Sequence, residues 1–374
     1  VQQLMSIPRT TFSGKIEVAK RVTPHLARGI LYNLIRIAVV FMGFGAVAIA
    51  FGNLAASLLV VPLYIYFFKN YKIGKPDKTL IKQYLSISVP VILIGISSKF
   101  INQFDKVLLQ FFTDSENVGH YTAGFRFGAM IKMIGVIMGG ILMPDFSNSF
   151  SKNDQQTISR KIYRFERFSY VFILPAILLV AILSDVIVKF LLGIEFDSSI
   201  PIMTVITIAM FLFIMGTPMA SVITGAGKFR LAAVLSTIKL VVFLLMAVIL
   251  VHPEFYNLRG LGMAFAFLTA NLLFFLLNRK YSTHFCRTIK TTFAIPYFIT
   301  GIIMFITGYW VYTQHCTEPY MKILFAVAFL LIYLTIYSVF KLIKKDDIKE
   351  LKNIISFGKM SNYVKDEFRD KEKK

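Results

Sequence analysis

The sequence predicts an all-α polytopic membrane protein of about ten transmembrane helices, and three observations carry that expectation. Hydrophobic residues make up 56% of the 374 and the mean hydropathy is +0.67, far from the mixture of core and surface in a water-soluble domain. Apolar runs of roughly 20 residues, enough to cross about 30 Å of hydrocarbon, recur along the chain. Cations gather in alternate connectors, the pattern that orients spans in a bilayer.

The first two runs are 29–47 and 50–68, separated at "AIAFGN", where Gly52 and Asn53 supply the break. The others are 86–112, 117–144, 166–191, 199–225, 229–251, 258–278, 293–313 and 320–341. Lysine and arginine concentrate in connectors 1–28, 69–85, 145–165, 226–228, 279–292 and the tail 342–374, as with Lys69, Lys72, Lys75 and Lys78 or Arg160, Lys161 and Arg164. The intervening connectors hold Asp114, Glu116, Glu195, Asp197, Glu254 and Glu318. The positive-inside rule places the basic set, and both ends of the chain, in the cytoplasm. The net charge of +21 is therefore dispersed over short loops instead of lying on one face, which excludes nucleic acid as a partner. In the tail, Ile348, Leu351 and Ile355 recur at helical spacing among lysines. Such a segment either lies on anionic membrane lipids or is a solvated end. Cys286 and Cys316 fall on opposite sides of this topology, so no disulfide framework follows. The chain opens at Val1 without a signal-peptide layout, and an upstream part is expected.

Charges inside the spans point to function. They are Arg36, Lys99, Lys106, Arg126, Lys132, Lys189 and Lys239, against Asp105 and Asp185 alone. At a span centre each costs roughly 2.5–3.5 kcal/mol on insertion scales, so the set is expected to face a wet interior and not lipid. Lys189 can snorkel, with Asp185 as its i, i+4 partner. Lys99, Asn102, Gln103, Lys106 and Gln110 fall on one side of a helix as a polar stripe. Asp105 points off that stripe, toward a neighbouring helix. Depth counting predicts two tiers: an outer one of Asp105, Lys106 and Arg126, and a midplane one of Lys99 and Lys132. Asp105 and Arg126 read as an interhelical ion pair, either structural or coupling, and the remaining cations as the lining of a cavity. "NLIRIAVVF" and "TIKLVVFLL" put Arg36 and Lys239 at matching places in two spans, an internal echo of the kind that flanks substrate sites in transporters. A cavity rich in cations and poor in acids suits an anion, and phosphate or diphosphate fits Lys and Arg best. A phosphate headgroup on a lipid tail could enter such a cavity while the tail stays in the bilayer, which would amount to lipid flipping.

The stretch "SISVPVILIGISSKFINQFDKVLLQFFTDSENVGHYTAGFRFGAMI" resembles the seventh and eighth helices of Wzx-type oligosaccharide-lipid flippases of the MOP exporter superfamily. Its landmarks are a helix opening with Pro90, then Asp105, an outer turn, and Val118, Gly119, Tyr121, Ala123 and Arg126. Later landmarks are "GGILMPDFS" with Pro144, "ASVITGAGKFR" with Gly225 and Gly227, and "NLRGLGMAFAF" with Gly260 and Gly262. The resemblance spans nearly the whole chain. It implies two six-helix lobes opening alternately to either side, followed by two further helices. Residues 29–68 would be the last two helices of an incomplete N-lobe, 69–85 the inter-lobe loop, 86–278 the C-lobe and 293–341 the two extra helices. Four preceding helices would be absent. The implied substrate is an undecaprenyl-diphosphate-linked oligosaccharide, moved across the bacterial inner membrane for O-antigen or capsule assembly, with a polysaccharide polymerase as a further partner. The family's usual residue near Lys239 is a polar amide, so the lysine adds a cation.

Two other readings compete. A multidrug exporter of the same superfamily would move organic cations and should line its cavity with carboxylates, contrary to the balance here. A membrane glycan polymerase or acyltransferase would need a catalytic cluster, but His25, His120, His252, His284 and His315 are scattered over both faces. No cofactor, metal or catalytic residue is expected.

Overall fold

The computed structural model describes residues 5–14, 17–69, 71, 74, 77–286, 294–316 and 318–339. These are nearly all helical, and no strand occurs among the described residues. Among the described residues, eight helices, or directly abutting helices, are long and apolar enough to cross a membrane. The predicted basic tail, 342–374, lies outside the described residues. The chain divides into two compact units, with the boundary at Lys78 and Thr79.

The first unit contains α1 (Ser6–Gly14), α2 (Val18–Phe41), α3 (Ala46–Leu59) and α4 (Val61–Phe68). The break between its two apolar runs differs from the expected one. It falls at Met42–Gly45, where Gly43 takes φ +74°, a left-handed conformation that favours glycine. Gly52 lies inside α3, and a Cβ there would come 2.7 Å from Ile35 Cγ2 of α2. Its role is close helix packing rather than interruption. The segment expected as a loop, 1–28, is helical where described. Phe12 and Tyr64 form part of its small core, and Tyr71 donates its phenol to Glu17, which also pairs with Lys20 at 3.2 Å.

The second unit carries α5 (Lys78–Phe112), α6 (Ser115–Ser151), α7 (Gln155–Phe168), α8 (Leu174–Ile182), α9 (Ser184–Leu192), α10 (Ser199–Gly225), α11 (Phe229–Val251), α12 (Arg259–Phe285), α13 (Ala294–His315) and α14 (Pro319–Val339). The predicted spans coincide with these elements to within a few residues at most ends, because long apolar runs bounded by polar turns leave little else possible. Asp114 and Asp154 cap α6 and α7, accepting from Asn117 N–H at 2.8 Å and Thr157 N–H at 3.0 Å. Pro90 lies inside α5, which starts a dozen residues earlier than a proline-opened helix would.

Helix α10 is the axis of the unit, buried along most of its length against α6 and α12. The approach of α6 depends on small residues. A Cβ at Gly124 would come 3.0 Å from the Met203 backbone nitrogen, and one at Gly128 would come 2.3 Å from Ile206 Cγ2. In lipid, where the hydrophobic effect between helices is weak, such close packing is what holds them together.

The single predicted span 166–191 is built from α7, a π-helical turn at Ser169–Ile173, α8 and α9. Pro175 explains the wide turn, since it has no N–H. Leu174 N–H bonds back to Ser169 O, so Tyr170 O loses its helical donor. The phenol of Tyr333 on α14 replaces it at 2.9 Å. Around that bond Tyr170 stacks on Tyr297 and Tyr333 on Tyr337, with centroids 5.1 Å and 4.2 Å apart, which seats α13 and α14 on α8.

Candidate functional site

A cavity of about 330 Å³ opens between α5, α6, α10, α11 and α12. Ile94, Ser97, Ser98, Ile101 and Asn102 come from α5, Lys132 from α6, Phe213 and Thr224 from α10, Ser236 and Lys239 from α11, and Phe274 and Asn278 from α12. Helix α5 reaches its neighbours here through side chains, not through extended backbone contact, which leaves room for the cavity.

Two lysines dominate its charge. Lys132 Nζ donates to Asn102 Oδ1 at 2.8 Å, and Lys239 Nζ donates to Asn271 Oδ1 at the same distance. Asn271 is fully buried and fixed by its own bond to Phe267 O at 2.8 Å, so the amide oxygen is held facing the ammonium. The two ammonium groups share one ring: Lys132 lies 5.3 Å and Lys239 5.2 Å from the Phe213 centroid, and Lys239 lies 4.5 Å from that of Phe274. Neither lysine forms an ion pair with a described carboxylate. Amide oxygens and π-faces each stabilise an ammonium modestly, by about 0.5–2 kcal/mol per ring when desolvated, and neither cancels its charge. The arrangement presents two positive groups to whatever enters.

The remaining candidate residues divide. Asn102 joins Lys132 at the cavity. Lys106 stands beside it and donates to Asn102 O at 3.0 Å. Asp105 is fully buried, but its partners are Tyr121 Oη at 3.0 Å, Lys106 N–H at 2.8 Å and Lys106 Nζ at 3.5 Å. Arg126 is exposed on α6 and is not one of them, so the expected Asp105–Arg126 pair does not form. Lys99, Gln103 and Gln110 are exposed as well. Helical register accounts for this: the cavity face of α5 runs through Ser97, Ser98 and Ile101, and Lys99 projects well away from it. Lys99 and Lys132 therefore do not form a shared tier. Arg36 is exposed on α2, in the other unit.

The expected Asp185–Lys189 pair is also replaced. Asp185 binds Lys322 of α14 at 2.7 Å and the Tyr312 phenol of α13 at 2.5 Å, while Lys189 turns to Asp197 at 3.4 Å. Asp185 thereby ties both C-terminal helices to α9.

Residues 1–201 match the family described as "Polysaccharide biosynthesis protein". The chain belongs to that family. No curated protein matches the chain. Its fold is similar to those of solved membrane transporters. It is similar to the lipid II flippase MurJ in an inward closed conformation, with a TM-score of 0.62 and 15% identity over 85% of this chain and 67% of the other. An outward-facing multidrug resistance MATE transporter of the MOP superfamily gives 0.63 and 14% over 75% and 66%. A MATE transporter in the straight conformation gives 0.61 and 16% over 75% and 66%. The chain thus spans about two thirds of the length of the transporters it matches.

Several residues at the cavity of this family member escape a reading based on charge alone. Asn278 at the cavity and Asn271 behind it are buried amides seven residues apart on α12, and Ser236 precedes Lys239 by one turn. That recurrence of polar side chains on a single face is a usable signal. Phe213 carries none, because nothing distinguishes it locally from the other phenylalanines.

Proposed function

We propose that the protein is part of a flippase that moves undecaprenyl-diphosphate-linked oligosaccharides across the bacterial inner membrane for surface polysaccharide assembly, with the basic loops and both ends of this chain in the cytoplasm. The observation that carries the reading is the pair Lys132 and Lys239, two ammonium groups bordering one cavity, held by Asn102 and Asn271 and sharing the Phe213 ring. An anion with charge on two centres neutralises both at once, which a single diphosphate does. At about 330 Å³ the cavity suits the polar linkage of such a lipid, not a whole repeat unit. The polyprenyl chain would remain in the bilayer, and alternate opening of the helices around the bound headgroup would carry it from one leaflet to the other. Family membership in polysaccharide biosynthesis and the likeness in fold to a lipid II flippase support the same reading. Lys106, Lys99 and Arg126 are assigned to the path by which the headgroup approaches and leaves.

The test is translocation of an undecaprenyl-diphosphate-linked sugar by the full-length protein in vesicles, beside an organic cation as competitor substrate. Lys132→Ala and Lys239→Ala should each reduce movement of the lipid-linked sugar by at least tenfold at normal protein levels. Unchanged movement in both variants would refute the anion site. Transport of the organic cation alone would instead favour multidrug export, the activity named for the MATE structures.

A further inference from the structure

A second charged cluster lies away from the cavity, toward the end of the bundle that carries the basic loops. Glu166, in the last turn of α7, is fully buried, and its Oε1 accepts from Arg279 Nη1 on α12. Its Oε2 is buried and has no hydrogen-bond partner. Ser169 Oγ, one turn further on at the start of the π-helical turn, is likewise buried without a partner. A carboxylate with one oxygen ionically held and the other left dry is poised between two states. A buried acceptor without a donor carries its full desolvation cost, which a proton taken up at that oxygen relieves.

The surroundings leave few other groups to compensate. Arg279 comes from α12, Tyr297 from α13, and Tyr333 and Tyr337 from α14, with Arg167 and Tyr170 on the same stretch of chain. Helix α10 contributes apolar side chains such as Phe211, and Asp145 of α6 is engaged by Lys161 at 2.5 Å.

We propose that Glu166 binds the proton that drives this transporter, through its free Oε2. The idea rests on the flippase reading for the cargo but not for the site itself. A proton reaching Oε2 from the basic-loop end abolishes the carboxylate charge and frees Arg279 from an ionic bond. Arg279 directly follows Asn278, which lines the cavity, and lies two turns from Asn271, which holds Lys239. Release of that anchor therefore acts on the helix that positions the anion site. The π-helical turn next to Glu166 is the natural place for α7 to yield, since its widened ladder is already irregular.

Two measurements test this. In vesicles bearing full-length protein and an undecaprenyl-diphosphate-linked sugar, an imposed pH gradient should accelerate translocation by the wild type and by Glu166→Asp. The acceleration should be lost in Glu166→Gln and in the charge-neutral double variant E166Q/R279Q, which keeps the site foldable if the single change does not. A double variant that responds to the gradient like the wild type would overturn the proposal. Independently, infrared difference spectra of the substrate-free protein should develop a protonated-carboxyl band on acidification that Glu166→Gln lacks. Absence of that band from the wild type would overturn the site whatever the cargo. Its presence without any movement of the lipid-linked sugar would sustain the proton site and refute the flippase reading instead.

Discussion

Lys239 and Arg279 are both cations on helices that pack around the same cavity, yet their surroundings differ. Arg279 faces the buried carboxylate of Glu166, and together they add no net charge to the interior. Lys239 faces an amide oxygen and two phenyl rings, which leave its charge uncancelled. The outer tie of Asp185 to Lys322 resembles the first case, and Lys132 on Asn102 resembles the second. A charge matched by its own counter-ion holds helices together or switches them. A charge held only by dipoles is available to a ligand.

The largest expected effect tests that difference directly. Arg279→Leu leaves Glu166 buried without its partner and should destabilise the full-length protein by about 3–5 kcal/mol, read as thermal unfolding in detergent. Lys239→Leu should change stability by no more than about 1 kcal/mol, because it removes a buried charge along with its hydrogen bond, while abolishing polymer export in cells. Equal destabilisation by the two would erase the distinction between the regions.

Next in size is the framework that brings them together. Gly128→Val sets a side chain against Ile206, where even a Cβ would come within 2.3 Å of Cγ2. Overpacking of this kind typically costs about 1–3 kcal/mol. The same change at Gly119, where a Cβ would meet nothing within 4 Å, should be tolerated far better, and unfolding of the two variants side by side checks it.

These contrasts also explain what the sequence could reveal. Spans such as 199–225 and 229–251 were legible to the residue, because a bilayer permits only long apolar helices to cross it. Lys132, Lys239 and Asn102 stood out for the energetic cost of polar groups in such helices. The partners were not legible. The choice between Arg126, Lys106 and Tyr121 as the neighbour of Asp105 depends on how α5 is rotated, and a polar stripe marks a face without saying which neighbour it meets. Lys99, on that stripe, turned outward, while the face marked by Ser97 and Ser98 turned in. Glu166 and Arg279 carry no such signal, because they fall at the ends of predicted spans, where charges ordinarily reach water. The separation is 113 residues, and no local pattern announces such a pair.

Within the cavity the shared ring allows a finer test. Phe213→Leu removes the π-face from both ammonium groups and should weaken binding of a diphosphate lipid about tenfold, close to 1.4 kcal/mol, while Phe213→Trp should retain it. Titration of the purified protein with the lipid reads the affinity. If Leu and Trp behave alike, the ring only fills space, and the two lysines act separately.

The smallest effect is the most specific. Tyr333 donates to Tyr170 O because Pro175 leaves that carbonyl without a helical donor. Tyr333→Phe should therefore cost about 1 kcal/mol, a net hydrogen bond in a dry setting. Pro175→Ala restores an N–H at the place where it is missing, so the α8 backbone can satisfy its own carbonyls. In that background Tyr333→Phe should cost measurably less, and a double-mutant cycle reads the difference as an interaction energy. Additive effects would mean that the phenol and the proline act independently, and that α14 is seated on the bundle by ring packing alone.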